Sequence, residues 1–90
     1  MLSIEFEPSL SECIETLAKK EYEATLRACL LLPESTVELQ EKMKLLQLFL
    51  ESANFSLLRA ACEKQLVQGK GVRVILNLAE GEPVTQLIVE

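Results

Sequence analysis

Residues 72–90 have the sequence VRVILNLAEGEPVTQLIVE, in which two runs of alternating apolar and polar side chains flank a short polar segment. Strict alternation is typical of a β-strand that is buried on one face only. The first run begins at Val72, the second extends from Val84 to Glu90, and residues 80–83 lie between them. We therefore predict a C-terminal β-hairpin.

The register of this hairpin is constrained by the pattern, because a slip of one residue would exchange the two faces. A four-residue loop, with residues 80–83 between the strands, places Leu76 opposite Leu87 and Arg73 opposite Glu90. A two-residue loop places Leu76 opposite Thr85 instead. Matched apolar pairs and opposite charges stabilise neighbouring strands, so we predict the four-residue loop.

The N-terminal residues repeat the strand pattern. Leu2, Ile4 and Phe6 alternate with polar residues, and Pro8 closes the run. Proline lacks the backbone N–H that a strand interior needs, so the strand is expected to stop there.

Between these strands the spacing of apolar residues changes to three and four, which is typical of helices. Ser9 with Glu12, and Ser35 with Glu38, have the capping-box spacing that starts a helix. We predict one helix after Ser9 and a second beginning near Thr36. The first helix has six apolar positions at helical spacing: Leu10, Cys13, Ile14, Leu17, Ala24 and Ala28.

A third helix is predicted after a break in residues 52–56, with Asn54 or Ser56 as its N-cap. A single bent helix is the alternative. Gly69 and Gly71 flank Lys70 and indicate a helix C-cap followed by a change of direction.

The predicted fold is a two-layer α+β domain of order β-α-α-(α)-β-β, in which a helical layer packs on a small three-stranded sheet that ends in the hairpin. Residues 1–90 form a single domain, and a hairpin alone is too weak to stand in water without such a layer. The covered sheet face should consist of Leu2, Ile4, Phe6, Val74, Leu76, Leu87 and Val89. The partner of the first strand stays open. If it lies parallel beside the second strand, the helices form a right-handed crossover; pairing with the third strand is the other possibility.

Composition argues against several classes of function. All fourteen acidic residues are Glu, while Asp, His and Trp are absent and the net charge is −5. Most acid–base chemistry near neutral pH relies on histidine, or on Asp and Glu held in a shaped site, and the usual metal sites draw on His, Asp and clustered Cys. We therefore predict a protein that is not an enzyme and that has no catalytic residue, cofactor or metal site.

The three cysteines, Cys13, Cys29 and Cys62, are odd in number and form no CxxC motif. They predict neither a disulfide framework nor a zinc site, and we interpret them as small buried apolar side chains. A nucleophilic cysteine needs a basic neighbour, and no histidine exists to provide one. The sequence shows neither a signal peptide nor an apolar run long enough to cross a membrane. We predict a cytoplasmic protein with no membrane contact.

The strongest functional indication is an excess of apolar surface. At about 100° per residue, the second helix has an apolar arc of roughly 220°, about twice the width usual for a surface helix. Leu45, Leu48 and Phe49 extend this arc. On the other side of the sheet, Ile75 and Ile88 should face each other without a helix to cover them. We predict that Leu45, Leu48 and Phe49 form a protein–protein interface, with Ile75 and Ile88 as the alternative surface.

The predicted function is accordingly a small interaction module, whose most direct partner is a second copy of the chain in a two-fold homodimer. Alternatively, the chain is a subunit of a larger assembly and binds a different protein. Copies could also associate by adding a strand at a sheet edge.

Two other functions are weaker. A regulatory or nucleic-acid-associated protein would use a modest basic ridge, formed by Lys42, Lys44, Lys64, Lys70 and Arg73. The acidic net charge and the lack of interleaved aromatic residues argue against it. An enzyme would need an unexpected polar pocket that gathers Glu with Lys or Cys.

Overall fold

A computed structural model describes residues 3–31 and 37–90 of the protein. Its elements are β1 (Ser3–Phe6), α1 (Ile14–Leu31), α2 (Val37–Ser52), α3 (Phe55–Leu66), β2 (Val72–Ala79) and β3 (Glu82–Val89). The predicted α+β class is confirmed, with three helices followed by a C-terminal hairpin. Leu2 and Ser35, on which two of the local predictions depend, lie outside the described residues.

The sheet has the order β1-β2-β3, and both neighbouring pairs are antiparallel. Ile4 lies opposite Leu76 and Phe6 opposite Val74. The parallel arrangement of the first two strands is therefore wrong, and so is pairing of the first strand with the third. After three helices the chain returns to the sheet in the opposite direction, so β2 is central and β1 and β3 form the two edges.

The hairpin register differs from the predicted one. Ala79 lies opposite Glu82 and Leu76 opposite Thr85, so the loop has two residues, Glu80 and Gly81. Both have positive φ, 53° and 79°, as in the type I′ turn that suits the twist of two-residue hairpins. The two registers differ by two residues, which leaves every side chain on the same face. The alternation of apolar and polar residues therefore does not distinguish the two registers. The conformation of the turn residues determines which register forms.

The first helix begins later than its capping box predicts. The Ser9 hydroxyl does accept a hydrogen bond from the Glu12 N–H at 3.1 Å. However, the Ser9 N–H donates to the Glu12 carbonyl at 2.9 Å, which closes a separate turn. The helix starts at Ile14, with Cys13 as its N-cap, because the Cys13 carbonyl accepts the Leu17 N–H at 3.1 Å.

The break between the second and third helices is confirmed. The Asn54 side chain accepts a hydrogen bond from the Leu57 N–H at 3.2 Å and caps α3, which satisfies one of the free donors at the helix start. After α3 the chain turns at Gly69, whose φ of 80° fits the predicted change of direction. Gly71 then pairs with Glu90 through two backbone hydrogen bonds of 3.2 and 2.8 Å.

The helical layer covers one face of the sheet and encloses an aliphatic core. Phe49 of α2 lies between two other rings. It stacks on Phe6 of β1 at 6.4 Å between ring centroids and meets Phe55 of α3 edge-on at 5.2 Å. The rest of the buried apolar core is Ile4, Ile14, Ala18, Leu45, Leu46, Cys62, Val72, Val74 and Leu76.

Among residues 3–31 and 37–90, no helix lies over the opposite face of the sheet. There Arg73 of β2 joins both edges, since its guanidinium nitrogens lie 3.0 Å from a Glu5 oxygen and 2.5 Å from a Glu90 oxygen. The hydrogen bond to Glu5, followed by the charge of Glu90, raises the pKa of Arg73. The predicted attraction between Arg73 and Glu90 exists, although the two residues are diagonal neighbours in the observed register.

Candidate functional site

The predicted helix-face residues lie mostly inside the molecule. Leu45 and Phe49 are each only 1% exposed, and Leu48 is half-buried. The wide apolar arc of α2 is covered by its own chain, because α2 packs against α1 and also contacts β3. Leu45 and Phe49 are therefore unavailable for contact with a partner while the domain is folded, and Leu48 alone of the three has accessible surface.

The other two predicted interface residues, Ile75 and Ile88, lie on the sheet face that the helices leave open, and both are half-buried. The prediction that they lie directly opposite each other is wrong. Ile75 lies opposite Gln86, and Ile88 lies opposite Arg73. In this register the two isoleucines are diagonal neighbours. Val84 lies on the same face, diagonal to Ile75 on the side of the turn.

The structure brings out a feature that the sequence did not identify, which is the free edge of β3. Residues 71 and 90 exchange two hydrogen bonds, and alternate pairs of the hairpin follow the same pattern. The backbone N–H and C=O groups of Thr85, Leu87 and Val89 therefore point away from β2. Pro83 also lies at an outward position, where its missing N–H costs no bond to β2.

Apolar side chains lie on both faces of this edge. On the helix-covered face Leu87 is 37% and Val89 41% exposed, and on the open face Val84 is 47% exposed. The helices thus cover β1 and β2 more fully than β3, which α2 contacts only in part. No residue from Pro83 to Val89 carries a charge. Natural edge strands usually carry charges, prolines or bulges that prevent pairing with another chain. From Pro83 to Val89, the proline is the only charged or proline residue that would oppose such pairing.

A groove runs beside the same edge on the helical side. It encloses about 430 Å³ and contains the exposed side chain of Leu57. Its walls come from the end of α2, from α3 and from the start of β3: Phe49, Ser52, Ala53, Asn54, Leu57, Leu58, Ala61, Pro83 and Thr85. Apolar side chains dominate this lining, so the groove suits an aliphatic group better than a charged ligand.

The opposite edge of the sheet is different. β1 has only the four residues Ser3–Phe6, and the exposed Glu5 lies on it with Glu7 just beyond. Short length and acidic side chains both oppose the addition of another strand. The two edges are therefore unequal, and only β3 offers a long uncharged row of backbone groups.

The basic residues do not form one ridge. The Lys42 ammonium lies 2.5 Å from a Glu21 oxygen of α1, and Arg73 is held between Glu5 and Glu90. Lys44 lies on α2, Lys64 on α3, and Lys70 in the connection to β2. Ion pairing neutralises two of the five charges, which weakens the basis for a nucleic-acid function.

The cysteines are free thiols. Cys62 is buried, as interpreted, and burial raises its pKa. Cys13 is only half-buried and lines a pocket of about 280 Å³ together with Arg59 and Cys62. Its thiol lies 3.3 Å from the Thr16 hydroxyl, and this hydrogen bond is the main cause that lowers the pKa of Cys13. The N–H groups of the first helical turn and the charge of Arg59 act in the same direction. The sequence did not identify this environment, because the basic partner is an arginine from another helix.

Within residues 3–31 and 37–90, no group of histidine, cysteine or acidic side chains has the arrangement of a metal site. In the same part of the chain, none of the helices has both the length and the hydrophobicity needed to cross a bilayer.

One protein-family model matches residues 2–90. The chain belongs to this family. The family is uncharacterised and brings no activity, ligand or partner to the interpretation. No curated protein and no solved structure shows significant similarity to the chain. The geometry of the described residues is therefore what a functional proposal has to use.

Proposed function

We propose that the protein is a small non-enzymatic interaction module that pairs with a second copy of itself through the open edge of β3. The observation that carries the proposal is the uncharged edge from Pro83 to Val89, with apolar side chains exposed on both faces. Exposed edges of this kind bind an additional strand, because backbone groups on both chains gain hydrogen bonds while apolar surface is removed from water.

The preference for a second copy rests on the shape of the sheet. An antiparallel pair of identical strands is two-fold symmetric, so one contact uses both β3 edges and closes the assembly. The remaining edges are the short acidic β1 strands, which do not extend the sheet further. Pairing of β3 with β3 thus gives a dimer, whereas an open edge on both sides would give a fibre.

The proposed location is the cytoplasm. Three free cysteines in a chain of ninety residues suit a reducing compartment, since disulfides dominate in small secreted domains.

Thr85→Pro tests the proposal. The Thr85 N–H points away from β2, so proline removes a donor from the free edge without breaking the hairpin. Pro83, two residues earlier, already occupies such an outward position. We expect the unchanged chain to sediment at twice the 10.1 kDa chain mass and Thr85→Pro to weaken association by about tenfold or more, which corresponds to roughly one to two hydrogen bonds and the added steric conflict.

The matched control is Thr85→Val, which keeps the N–H and should associate like the unchanged chain. Circular dichroism establishes that both variants are folded. A chain that sediments as a monomer at millimolar concentration, or a folded Thr85→Pro variant that associates as before, contradicts the proposal.

A further inference from the structure

The backbone of β3 restricts how two copies can pair. Its outward groups belong to Thr85, Leu87 and Val89, so any antiparallel pair must match these residues with one another. In three symmetric registers two different residues of this set pair with each other, and their two-fold axes pass through residue 86, 87 or 88. Axes at residue 85 or 89 pair only one of the three with its own copy.

Charge and hydrogen bonding distinguish the three. An axis at residue 86 places Glu82 opposite the partner's Glu90 at both ends of the contact, and directly opposed like charges destabilise a strand pair. An axis at residue 88 leaves the outward groups of Thr85 beyond the end of the partner strand. An axis at Leu87 avoids the opposed acids and pairs every outward N–H and C=O from Thr85 to Val89.

The geometry points to a dimer in which the β3 strands pair about Leu87 and the partner's Val89 occupies the groove between α3 and β3. This inference rests on the proposed function and specifies its contact. In this register Thr85 lies directly opposite the partner's Val89, and paired residues share a face of the sheet. Thr85 lines the groove on the helical side, so the partner's Val89 faces it.

The groove fits this occupant in character and in size. Its lining is mostly apolar and its volume is about 430 Å³, which exceeds the volume of a branched aliphatic side chain. The groove is also continuous with the free edge, since Pro83 and Thr85 belong to both. Filling it removes Leu57 and Val89 from water, and both are among the exposed apolar residues of the chain.

Paired cysteine variants on the open face of the sheet test the register without altering the groove. In the Leu87-centred dimer Gln86 lies opposite the partner's Ile88. The two Cα atoms of such a pair are about 4.5 Å apart, within the range that a disulfide spans. We expect a mixture of Gln86→Cys and Ile88→Cys chains to form a disulfide-linked dimer on mild oxidation at least about tenfold faster than either variant alone.

The unchanged chain, oxidised in parallel, measures any background from Cys13, Cys29 and Cys62, and peptide mapping identifies the linked residues. Rapid linkage of Gln86→Cys alone shows an axis at residue 86, and rapid linkage of Ile88→Cys alone shows an axis at residue 88. Either result overturns this register while the edge-pairing proposal stands. A dimer by mass in which neither the variants nor the mixture link overturns edge pairing, and a strictly monomeric chain overturns the proposed function itself.

A second measurement tests the groove separately. Val89→Ala and Val84→Ala make the same truncation at two exposed valines of β3, one facing the groove and one on the open face. We expect Val89→Ala to weaken the dimer by about tenfold or more, because apolar area leaves the contact at two equivalent sites. Val84→Ala should have a distinctly smaller effect, since it lies opposite the partner's Glu90. Equal effects of the two variants overturn the assignment of the groove.

Discussion

Cys13 shows how one residue can change character with its surroundings. By sequence it is one of three cysteines in apolar periodic positions, and burial was the simplest interpretation. The structure places it at the start of an eighteen-residue helix, facing Arg59 of α3 across a pocket. Free N–H groups and the helix dipole stabilise a negative charge at this end of a helix.

We predict that Cys13 alkylates at lower pH than Cys62. A lowered pKa means that more thiolate is present at any pH below the usual value, so the pH profile of iodoacetamide labelling, followed by peptide mass spectrometry, should shift to lower pH for Cys13. Thr16→Val removes the main stabilising hydrogen bond and should move the profile upward, while Thr16→Ser keeps the hydroxyl and should not.

Cys62 provides the internal comparison, since its pKa is raised and its thiol is buried. Its labelling should require unfolding. Identical pH profiles for Cys13 in the unchanged chain and in Thr16→Val would show that the Thr16 contact does not influence the thiol.

Among the elements, the hairpin turn contains a residue whose backbone conformation is unfavourable for its side chain. Glu80 is the one residue other than glycine that has positive φ among the described residues. Most side chains are strained in this region, whereas asparagine and glycine adopt it readily. The turn therefore keeps a β2–β3 register that its own first residue disfavours.

Glu80→Asn is predicted to stabilise the protein by about 0.5–1 kcal/mol, because it relieves strain at a left-handed position and produces the Asn-Gly pair that favours type I′ turns. The free energy of unfolding in urea measures the effect. Glu82→Asn is the matched control, since it removes the same charge from an extended position and should give no gain. A four-residue loop would reverse the expectation, because Glu80 would then need no left-handed conformation.

The elements also show which parts of the fold the sequence could predict. Period-two and period-three-to-four patterns reflect burial on one face, so they predicted the strands, the third helix and the layer arrangement. The hairpin register was predicted wrongly because the predicted and observed registers bury the same side chains. The start of α1 was predicted wrongly because the Ser9 hydroxyl accepts the Glu12 N–H, as in a capping box, but the chain forms a separate turn there instead of a helix. Of the two predicted N-caps, Asn54 rather than Ser56 caps α3, because its side-chain oxygen accepts the Leu57 N–H.

At the scale of the whole molecule, the apolar surplus expected on α2 is largely buried by the chain itself, whereas on the open hairpin face Ile75 and Ile88 are half-buried and Val84 is exposed. The periodic pattern of α2 shows how much surface is apolar, but it cannot show that α1 and the aromatic cluster around Phe49 cover it. The exposed apolar side chains of the sheet lie mainly on β3, because the three helices cover β1 and β2 more fully than β3. That mismatch depends on strand order, which no local pattern of this chain specifies.

If β3 mediates a dimer, the stability of the protein must depend on its concentration, because association favours the folded state by mass action. We predict that a tenfold increase in chain concentration raises the thermal midpoint by roughly 3–5 °C, given the enthalpy usual for domains of this size. Thermal unfolding followed by circular dichroism at several concentrations measures the slope. Thr85→Pro, whose dimer is weaker, should have a lower midpoint than the unchanged chain at each concentration of the same series, and a concentration-independent midpoint in the unchanged chain would argue against dimer-linked stability.

The bond between Arg73 and Glu5 crosses 68 positions of the chain. On the ribosome β1 emerges long before its neighbour β2 is synthesised, so Ile4 and Phe6 must wait for β2 while the three helices are already available. Distant pairings of this kind form slowly, since a large loop has to close before the contact is gained. The sheet should therefore assemble last during folding, and nascent chains that stop before residue 73 should hold their first strand unpaired.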